Sequence, residues 1–193
     1  MTNQPPQVSP KPLDQVVLVD ESDNQLGVMD KIEAHRGDGQ RHRAISVFLF
    51  NKDGQLLIQE RSAKKIVGAG QWANTVCGNV RPGESYEACA LRRLREELGI
   101  TTAQIQPIHK FEYHTRCNDQ FSEWEIDTVF VGNYDGPVEP NPDEVAKYEW
   151  KDASLLPKEL AEDKRTSTDI TTQKYAPWFH LLCQEAPVSS LLQ

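Results

Sequence analysis

The sequence lacks any long run of apolar residues. Within its 193 residues, no apolar stretch approaches the roughly 18 residues that a membrane-spanning helix requires. The opening residues, MTNQPPQVSPKP, also lack the apolar core of a secretory signal peptide. We therefore expect a cytoplasmic protein with no membrane partner.

Cysteine and positive charge are both in short supply. The four cysteines, Cys77, Cys89, Cys117 and Cys183, show no CxxC spacing. This pattern argues against a disulfide framework and against a zinc knuckle, and it fits a reducing compartment. With 21 Lys and Arg against 29 Asp and Glu, the net charge is −8. An acidic chain disfavours a nucleic-acid partner, although it leaves room for a local cationic pocket that binds a small anion.

The 12 prolines are unevenly distributed, since four of them fall within residues 1–12. We predict that residues 1–12 are a disordered tail, because a proline-rich polar segment has little apolar surface to bury. Residues 13–185 are long enough for one domain with a sizeable core. Residues 186–193 are expected to be a C-terminal tail.

Short apolar runs separated by turn residues predict strands along most of this domain. The runs at 44–50 and 55–60 flank NKDG, which is a strong signal for a hairpin turn. Residues 72–79 form another extended run, and residues 108–116 and 122–134 alternate like antiparallel strands. A further strand is predicted at 144–150.

One long helix is predicted between Ser85, near its start, and Gly99, which ends it. Ala88, Leu91 and Leu98 recur at helical spacing and are expected to face the core. A polar stretch at 161–173 precedes a last helix at 175–186. Together these elements predict an α+β domain, a mixed β-sheet flanked by helices.

The helical segment carries the most specific motif, GNVRPGESYEACALRRLREELGI at residues 78–100. It resembles the Nudix box, in which a glycine and a glutamate precede an Arg-Glu-rich helix. The matching positions are Gly78, Glu84, Arg92, Leu94, Glu96, Glu97, Gly99 and Ile100. The resemblance implies the Nudix fold.

One position of the box departs from the family pattern, because Arg93 replaces the first glutamate of the helix. In Nudix hydrolases three carboxylates of this helix gather around magnesium, and a cation at position 93 opposes metal binding there. Arg93 and Glu97 lie one helical turn apart, so a simple surface ion pair is one alternative. Contact with a diphosphate is the other.

A wider set of motifs resembles the type I isopentenyl-diphosphate isomerases, a branch of the Nudix superfamily. The resemblance extends from about residue 13 to residue 182 and is carried by EAHRGDGQRHRA, QERSAKK, WANTVCG, the altered box, FEYH, SEWE, PDEVAKYEW and YAPWF. It implies an enzyme that interconverts isopentenyl and dimethylallyl diphosphate. A Nudix hydrolase of nucleoside or prenyl diphosphates and a non-catalytic diphosphate-binding module are the alternatives.

The resemblance assigns the proton-transfer groups of this reaction. Cys77, within NTVCG, matches the catalytic cysteine, and Glu125 matches the catalytic carboxylate. Tyr113 matches the tyrosine that hydrogen-bonds Glu125, and Trp178 matches the tryptophan whose ring lies against the C5 unit, where a π face stabilises positive charge. Without the resemblance, a core cysteine, a solvated glutamate, a sheet tyrosine and a core tryptophan are the ordinary interpretations.

The same resemblance assigns two metal sites and a diphosphate site. Implied ligands of the protein-bound metal are His35, His42, Glu123 and Glu125, with Asn79 where the family has a third histidine. Glu97 and the carbonyl of Cys77 are implied ligands of a magnesium ion carried by the substrate. Contacts to the diphosphate are assigned to Arg61, Lys65, Arg92 and Arg93. Structural histidines and solvated surface cations are the alternatives.

The donor set of the protein-bound metal combines imidazole with carboxylate groups, which suits magnesium or manganese and leaves zinc open. At position 79 an amide oxygen would be a harder donor than imidazole. The expected partner is a small prenyl diphosphate, and the expected assembly is a monomer or a homodimer.

Overall fold

The computed structural model describes residues 15–193, so the predicted tail at residues 1–12 lies outside the described residues. Nine strands and five helices make up the described part of the chain. In chain order they are β1 Gln15–Val19, β2 Gln25–Asp30, α1 Lys31–His35, β3 His42–Phe50, β4 Gln55–Arg61, β5 Trp72–Ala73, β6 Val76–Asn79, α2 Tyr86–Leu98, β7 Gln104–Arg116, β8 Ser122–Asn133, β9 Val145–Asp152, α3 Leu156–Thr166, α4 Pro177–Leu182 and α5 Ala186–Ser189.

Strand β3 is the centre of the sheet. It pairs with β6 in antiparallel orientation and with β8 in parallel orientation along its whole length. Strand β7 then pairs with β8, and β4 pairs with β9, both antiparallel. The predicted mixed sheet flanked by helices is therefore confirmed.

The NKDG segment forms the predicted turn, but the two flanking strands do not form a hairpin ladder. The turn closes through a 3.0 Å bond from Gly54 N to Asn51 O, with Gly54 at φ 75°. Strands β3 and β4 share only the Phe50–Leu56 pair. The hairpin prediction was wrong beyond the turn because β3 is occupied on both edges by β6 and β8.

Helix α2 begins and ends as predicted. The Ser85 side chain accepts a 3.1 Å bond from Ala88 N, and Gly99 adopts the left-handed conformation at φ 67°. Of the three residues predicted to face the core, Leu98 is buried, whereas the prediction was wrong for Ala88 and Leu91, which are exposed. The buried row has a spacing of four and consists of Ala90, Leu94 and Leu98.

Two segments that the sequence pattern left without structure are ordered. The first half of the polar stretch at 161–173 belongs to α3, an amphipathic helix that buries only Leu156 and Leu160. Residues 186–193, expected as a tail, include α5 and bury Val188 and Leu192 against the core that also holds Trp178. Among residues 15–193, no helix is long and apolar enough to cross a membrane.

Candidate active site

The register around β3 places distant residues on one face of the sheet. His42 lies opposite Glu125 on β8, and Ser46 lies opposite Cys77 on β6. Ala44, between them, lies opposite Asn79 on β6 and Asp127 on β8. Because residues paired in register point to the same side and alternate residues share a face, these polar side chains converge.

A pocket of about 270 Å³ opens beside this face. Its walls include most of the predicted site residues, namely His35, Arg61, Lys65, Cys77, Asn79, Arg92, Arg93, Tyr113, Glu123 and Glu125. Three predicted residues lie behind the walls: His42 is 0% exposed, Glu97 is 1% exposed and Trp178 is 0% exposed. The sheet thus brings residues that are far apart in the chain together around one pocket.

His35, His42 and Glu125 form a candidate metal centre. One ligand atom from each lies within 4.8 Å of the others. Nδ1 of His35 lies 2.6 Å from the carbonyl of Lys31, and Nδ1 of His42 lies 2.7 Å from the carbonyl of Gln40. These bonds fix the rings and direct each Nε2 toward the cluster, which is the usual arrangement of metal-binding imidazoles.

The electrostatics of the cluster also fit a divalent ion. Burial, together with the neighbouring His42, lowers the pKa of His35 to about 4, so its imidazole is neutral and able to bind metal. Two imidazoles and a carboxylate suit manganese, zinc or magnesium. Glu123, a predicted ligand, is 8% exposed and lies outside this cluster among the described residues.

Asn79 presents its amide nitrogen, rather than its oxygen, to the candidate ligands. Nδ2 lies 3.0 Å from Nε2 of His42 and 3.0 Å from Oε1 of Glu125. The amide hydrogens therefore engage two of the atoms that a metal would use. A role of Asn79 as an oxygen ligand stays a prediction and requires rotation of the amide.

Tyr113 lies between the two strand carboxylates. Its hydroxyl donates to Oε2 of Glu125 and lies 3.1 Å from Oε2 of Glu123. Burial and the charge of Glu125 raise the pKa of Glu123 well above its usual value. Burial also raises the pKa of Glu125, but the neighbouring His42 and the hydrogen bond from Tyr113 outweigh burial, so the pKa of Glu125 is lowered. Glu125 is therefore the ionised member of the pair.

Cys77 contributes a protonated thiol to the same pocket. Burial raises its pKa to about 12, against the opposing effect of the nearby Arg61 charge. Nη1 of Arg61 lies 3.6 Å from Sγ, and two other nitrogens of the guanidinium donate to Val67 O at 3.0 and 3.2 Å. The thiol is thus held next to a fixed cation and keeps its proton at neutral pH.

Trp178 supports Arg61 from below instead of forming the pocket wall. The guanidinium carbon of Arg61 lies 4.9 Å from the centre of the indole ring. Gly68 packs closely against both side chains, because an added Cβ would come within 2.6 Å of the indole ring and 3.2 Å of Nε of Arg61. The predicted contact between Trp178 and a C5 unit stays a prediction, since Arg61 covers the ring in this structure.

Arg93 lies among three carboxylates. Its guanidinium is 2.8 Å from Glu97 through Nε, 3.0 Å from Glu96 through Nη1 and 3.1 Å from Glu144 through Nη2. The ion pair with Glu97 exists, but it is buried and not a surface pair. Gly78 makes room for it, because a Cβ there would lie 2.9 Å from Cδ of Arg93.

Arg92, the neighbour of Arg93 on α2, is also paired with carboxylates. It donates to Glu84 at 2.7 Å and to Glu96 at 3.0 Å, and Nη2 lies 3.2 Å from the carbonyl of Asn79. These contacts brace the strand that carries Asn79. Arg92 and Arg93 both reach the pocket, but each is already paired.

Sequence reasoning missed several residues of the pocket and of the layer beneath it. Lys31, Lys64, Arg81 and Glu144 line the pocket, and Asp127 lies buried beneath it with Oδ2 accepting a 2.7 Å bond from Ser46. A signal for Asp127 existed, since it continues the alternation of Glu123 and Glu125 along β8. Glu144 belongs to the PDEVAKYEW motif, but the motif gave it no role, and the pairing of β9 with β4 brings it to the pocket.

Comparison with known proteins agrees with this geometry. Residues 40–169 match the family model described as NUDIX domain. The "Isopentenyl-diphosphate Delta-isomerase 1" of Aromatoleum aromaticum is 44% identical over 77% of this chain and 83% of its own length. The "Isopentenyl-diphosphate Delta-isomerase" of Pectobacterium atrosepticum is 37% identical over 91% of this chain and 93% of its own length.

Among solved structures, DR0079 from Deinococcus radiodurans is similar, with a TM-score of 0.61 and 26% identity. The similarity covers 76% of this chain and 89% of that one. The resemblance inferred from the motifs is therefore confirmed, and the chain belongs to the Nudix superfamily and, within it, to the family of isopentenyl-diphosphate Delta-isomerases.

Proposed function

We propose that the protein interconverts isopentenyl diphosphate and dimethylallyl diphosphate. The observation that carries this proposal is that Cys77 and Glu125 line one pocket together with Arg61 and Lys65. The reaction adds a proton at C4 of the substrate and removes one from C2, so it needs one acid and one base beside a flat C5 unit. It needs no oxidant and no leaving group.

The protonation states of the pair match this requirement. The Cys77 thiol retains its proton because its pKa is about 12, whereas Glu125 is ionised because its pKa is lowered. The two groups therefore hold one exchangeable proton between them. Tyr113 fixes the carboxylate through its hydroxyl, so that the lone pair of Glu125 is oriented before substrate binds.

His35, His42 and Glu125 are the residues that would hold a divalent metal in this pocket, and the pinned imidazoles fit that role. Bound there, magnesium or manganese would supply positive charge that stabilises the ionised Glu125. A second magnesium carried by the substrate would use Glu97 and the carbonyl of Cys77. In the described structure Glu97 is bonded to Arg93 and Gln59.

The hydrolase alternative is disfavoured by Arg93. Hydrolysis by a Nudix enzyme relies on three helix carboxylates that bind metal, and here one of the three positions is occupied by the cation Arg93, which pairs with Glu96 and Glu97. The two relatives described above are named as isomerases. A diphosphate-binding module without catalysis would have no need for the ordered Tyr113–Glu125 pair.

The test is incubation with isopentenyl diphosphate and magnesium in D2O, followed by NMR and a phosphate assay. The wild type should form deuterated dimethylallyl diphosphate and release no phosphate. Cys77→Ala should abolish the conversion, whereas Cys183→Ala, in the core away from the pocket, should retain it. Release of phosphate, or wild-type deuterium incorporation by Cys77→Ala at an unchanged melting temperature, would overturn the proposal.

A further inference from the structure

Five of the cations that line the pocket are paired with carboxylates of the chain, namely Lys64, Lys65, Arg81, Arg92 and Arg93, and Glu144 serves two of them. Oε2 of Glu144 lies 2.5 Å from Nζ of Lys65 and 3.1 Å from Nη2 of Arg93. Lys65 and Arg93 project from different elements, the loop after β4 and helix α2. A single carboxylate oxygen thus bridges two cations that the sequence assigns to the diphosphate.

The backbone of Glu144 is anchored in the fold, whereas its carboxylate contacts only the two cations, Lys65 and Arg93, among the described residues. Its carbonyl accepts a 2.9 Å bond from Ser62 N, and the next residue, Val145, is 1% exposed in the core. The Glu144 side chain is 25% exposed and lines the pocket. Rotation of the side chain can therefore move the carboxylate away from the cations while the strand stays in place.

We propose that Glu144 is an internal competitor for the diphosphate, an inference that rests on the proposed function. Its carboxylate holds Lys65 and Arg93 at a fixed spacing while the pocket contains no substrate. A diphosphate oxygen that enters between the two cations must displace that carboxylate, because both anions need the same donors. The competition weakens binding of substrate and of product alike and so favours product release.

Glu97 does not share this role. Its side chain is 1% exposed and also accepts a 2.8 Å bond from Gln59 Nε2. Moving it would leave one hydrogen of the buried Gln59 amide without an acceptor, since Thr75 O accepts only the other, and an unpaired buried donor is costly. Glu96 contacts Arg92 as well as Arg93 and does not contact Lys65 in the described structure. Glu144 is therefore the carboxylate that can leave.

The test is calorimetric binding of inorganic pyrophosphate to the full chain, with magnesium and with EDTA. Glu144→Gln keeps the shape and removes the charge, so the dissociation constant should fall about tenfold under both conditions, as expected when a charge-assisted competitor is lost. Glu162→Gln is the matched control. It removes the same charge from an exposed ion pair with Arg165 outside the pocket, and it should change the constant by less than about twofold.

Glu144→Ala should act in the same direction as Glu144→Gln, and melting temperatures verify that both variants fold. The KM for isopentenyl diphosphate should fall with no gain in kcat. An unchanged dissociation constant overturns the inference. Weaker pyrophosphate binding by the Glu144 variants in magnesium but not in EDTA also overturns the inference, because it would show that Glu144 binds the substrate-carried magnesium ion. Tighter pyrophosphate binding in a protein that fails to isomerise would refute the proposed function and leave the competitor role standing.

Discussion

The side-chain nitrogen of Asn79 lies 3.0 Å from Oε1 of Glu125 and donates to it. The same nitrogen lies 3.0 Å from Nε2 of His42. A metal that binds Nε2 of His42 must displace the Asn79 amide from that atom, because an imidazole nitrogen has a single lone pair. The metal-free site is stabilised by Asn79, and the affinity for metal is reduced by the same amount.

The first prediction follows from this arrangement. Asn79→His removes the amide hydrogens and offers a third imidazole, so manganese and zinc should bind about tenfold tighter or more, and magnesium should gain much less. Titration of the metal-free protein measures all three affinities. His114→Ala is the control, since His114 bonds Asp38 O and stacks on Trp124. Unchanged affinities for every metal would place Asn79 outside the ligand shell.

The second prediction concerns Glu125. Glu125→Gln keeps an oxygen that can bind metal but loses the group that exchanges a proton, so turnover should fall by at least about 100-fold. Saturating magnesium or manganese should not restore the rate. Glu112→Gln, which alters an outward carboxylate bonded to Arg41 and Trp124, should remain active. Near-normal turnover of Glu125→Gln at high metal concentration would show that Glu125 binds metal but transfers no proton.

The third prediction concerns Trp178. Trp178→Leu should lower the free energy of unfolding by about 2–3 kcal/mol, because the ring is fully buried. Since Arg61 loses the surface it rests on, the KM for the diphosphate substrate should rise more than kcat falls. Urea unfolding and steady-state kinetics measure the two effects. A fall confined to kcat would instead place the indole against the reacting carbon.

The fourth prediction is a pH dependence of stability through Asp127. Burial and the charge of Glu125 raise its pKa from 3.8 to about 8, and its Oδ1 has no partner among the described residues. The folded state favours the neutral acid. The contribution of Asp127 to the free energy of unfolding is therefore fully present below pH 4 and is lost as the pH rises toward 8. Across this window, the free energy of unfolding of the wild type should fall by about 1 kcal/mol per pH unit relative to that of Asp127→Asn.

Denaturant unfolding of both proteins from pH 4 to pH 8 measures that difference. Asp127→Asn should be the more stable protein at pH 8 and nearly equal to the wild type at pH 4. Parallel stability curves for the two proteins would show that Asp127 stays ionised in its buried position.

Much of the site could be predicted because its residues lie in short local motifs. Cys77 and Asn79 share one strand, Glu123 and Glu125 share another, and α2 carries its own start and stop signals. The alternation of a strand and the capping of a helix are local physics that a sequence displays directly. These are the parts of the fold that the structure reproduces.

The rest depended on tertiary contacts that no local pattern encodes. Two of the three core positions of α2 were misassigned because Ala88 and Leu91 are apolar but lie off the buried row that includes Leu98. The position of Trp178 beneath Arg61 depends on the loop at Val67 and Gly68. The pairing of Glu144 with Lys65 joins residues from two different loops, and only the assembled sheet brings them together.

The central position of β3 also has a consequence for how the protein folds. His42, Cys77 and Glu125 come from three strands that meet only when β6 and β8 have both paired with β3. Such non-local pairings carry the entropy cost of closing long loops and form late and slowly. A metal bound by His42 and Glu125 therefore recognises only a chain in which β3 and β8 have paired, and its binding energy becomes resistance to unfolding.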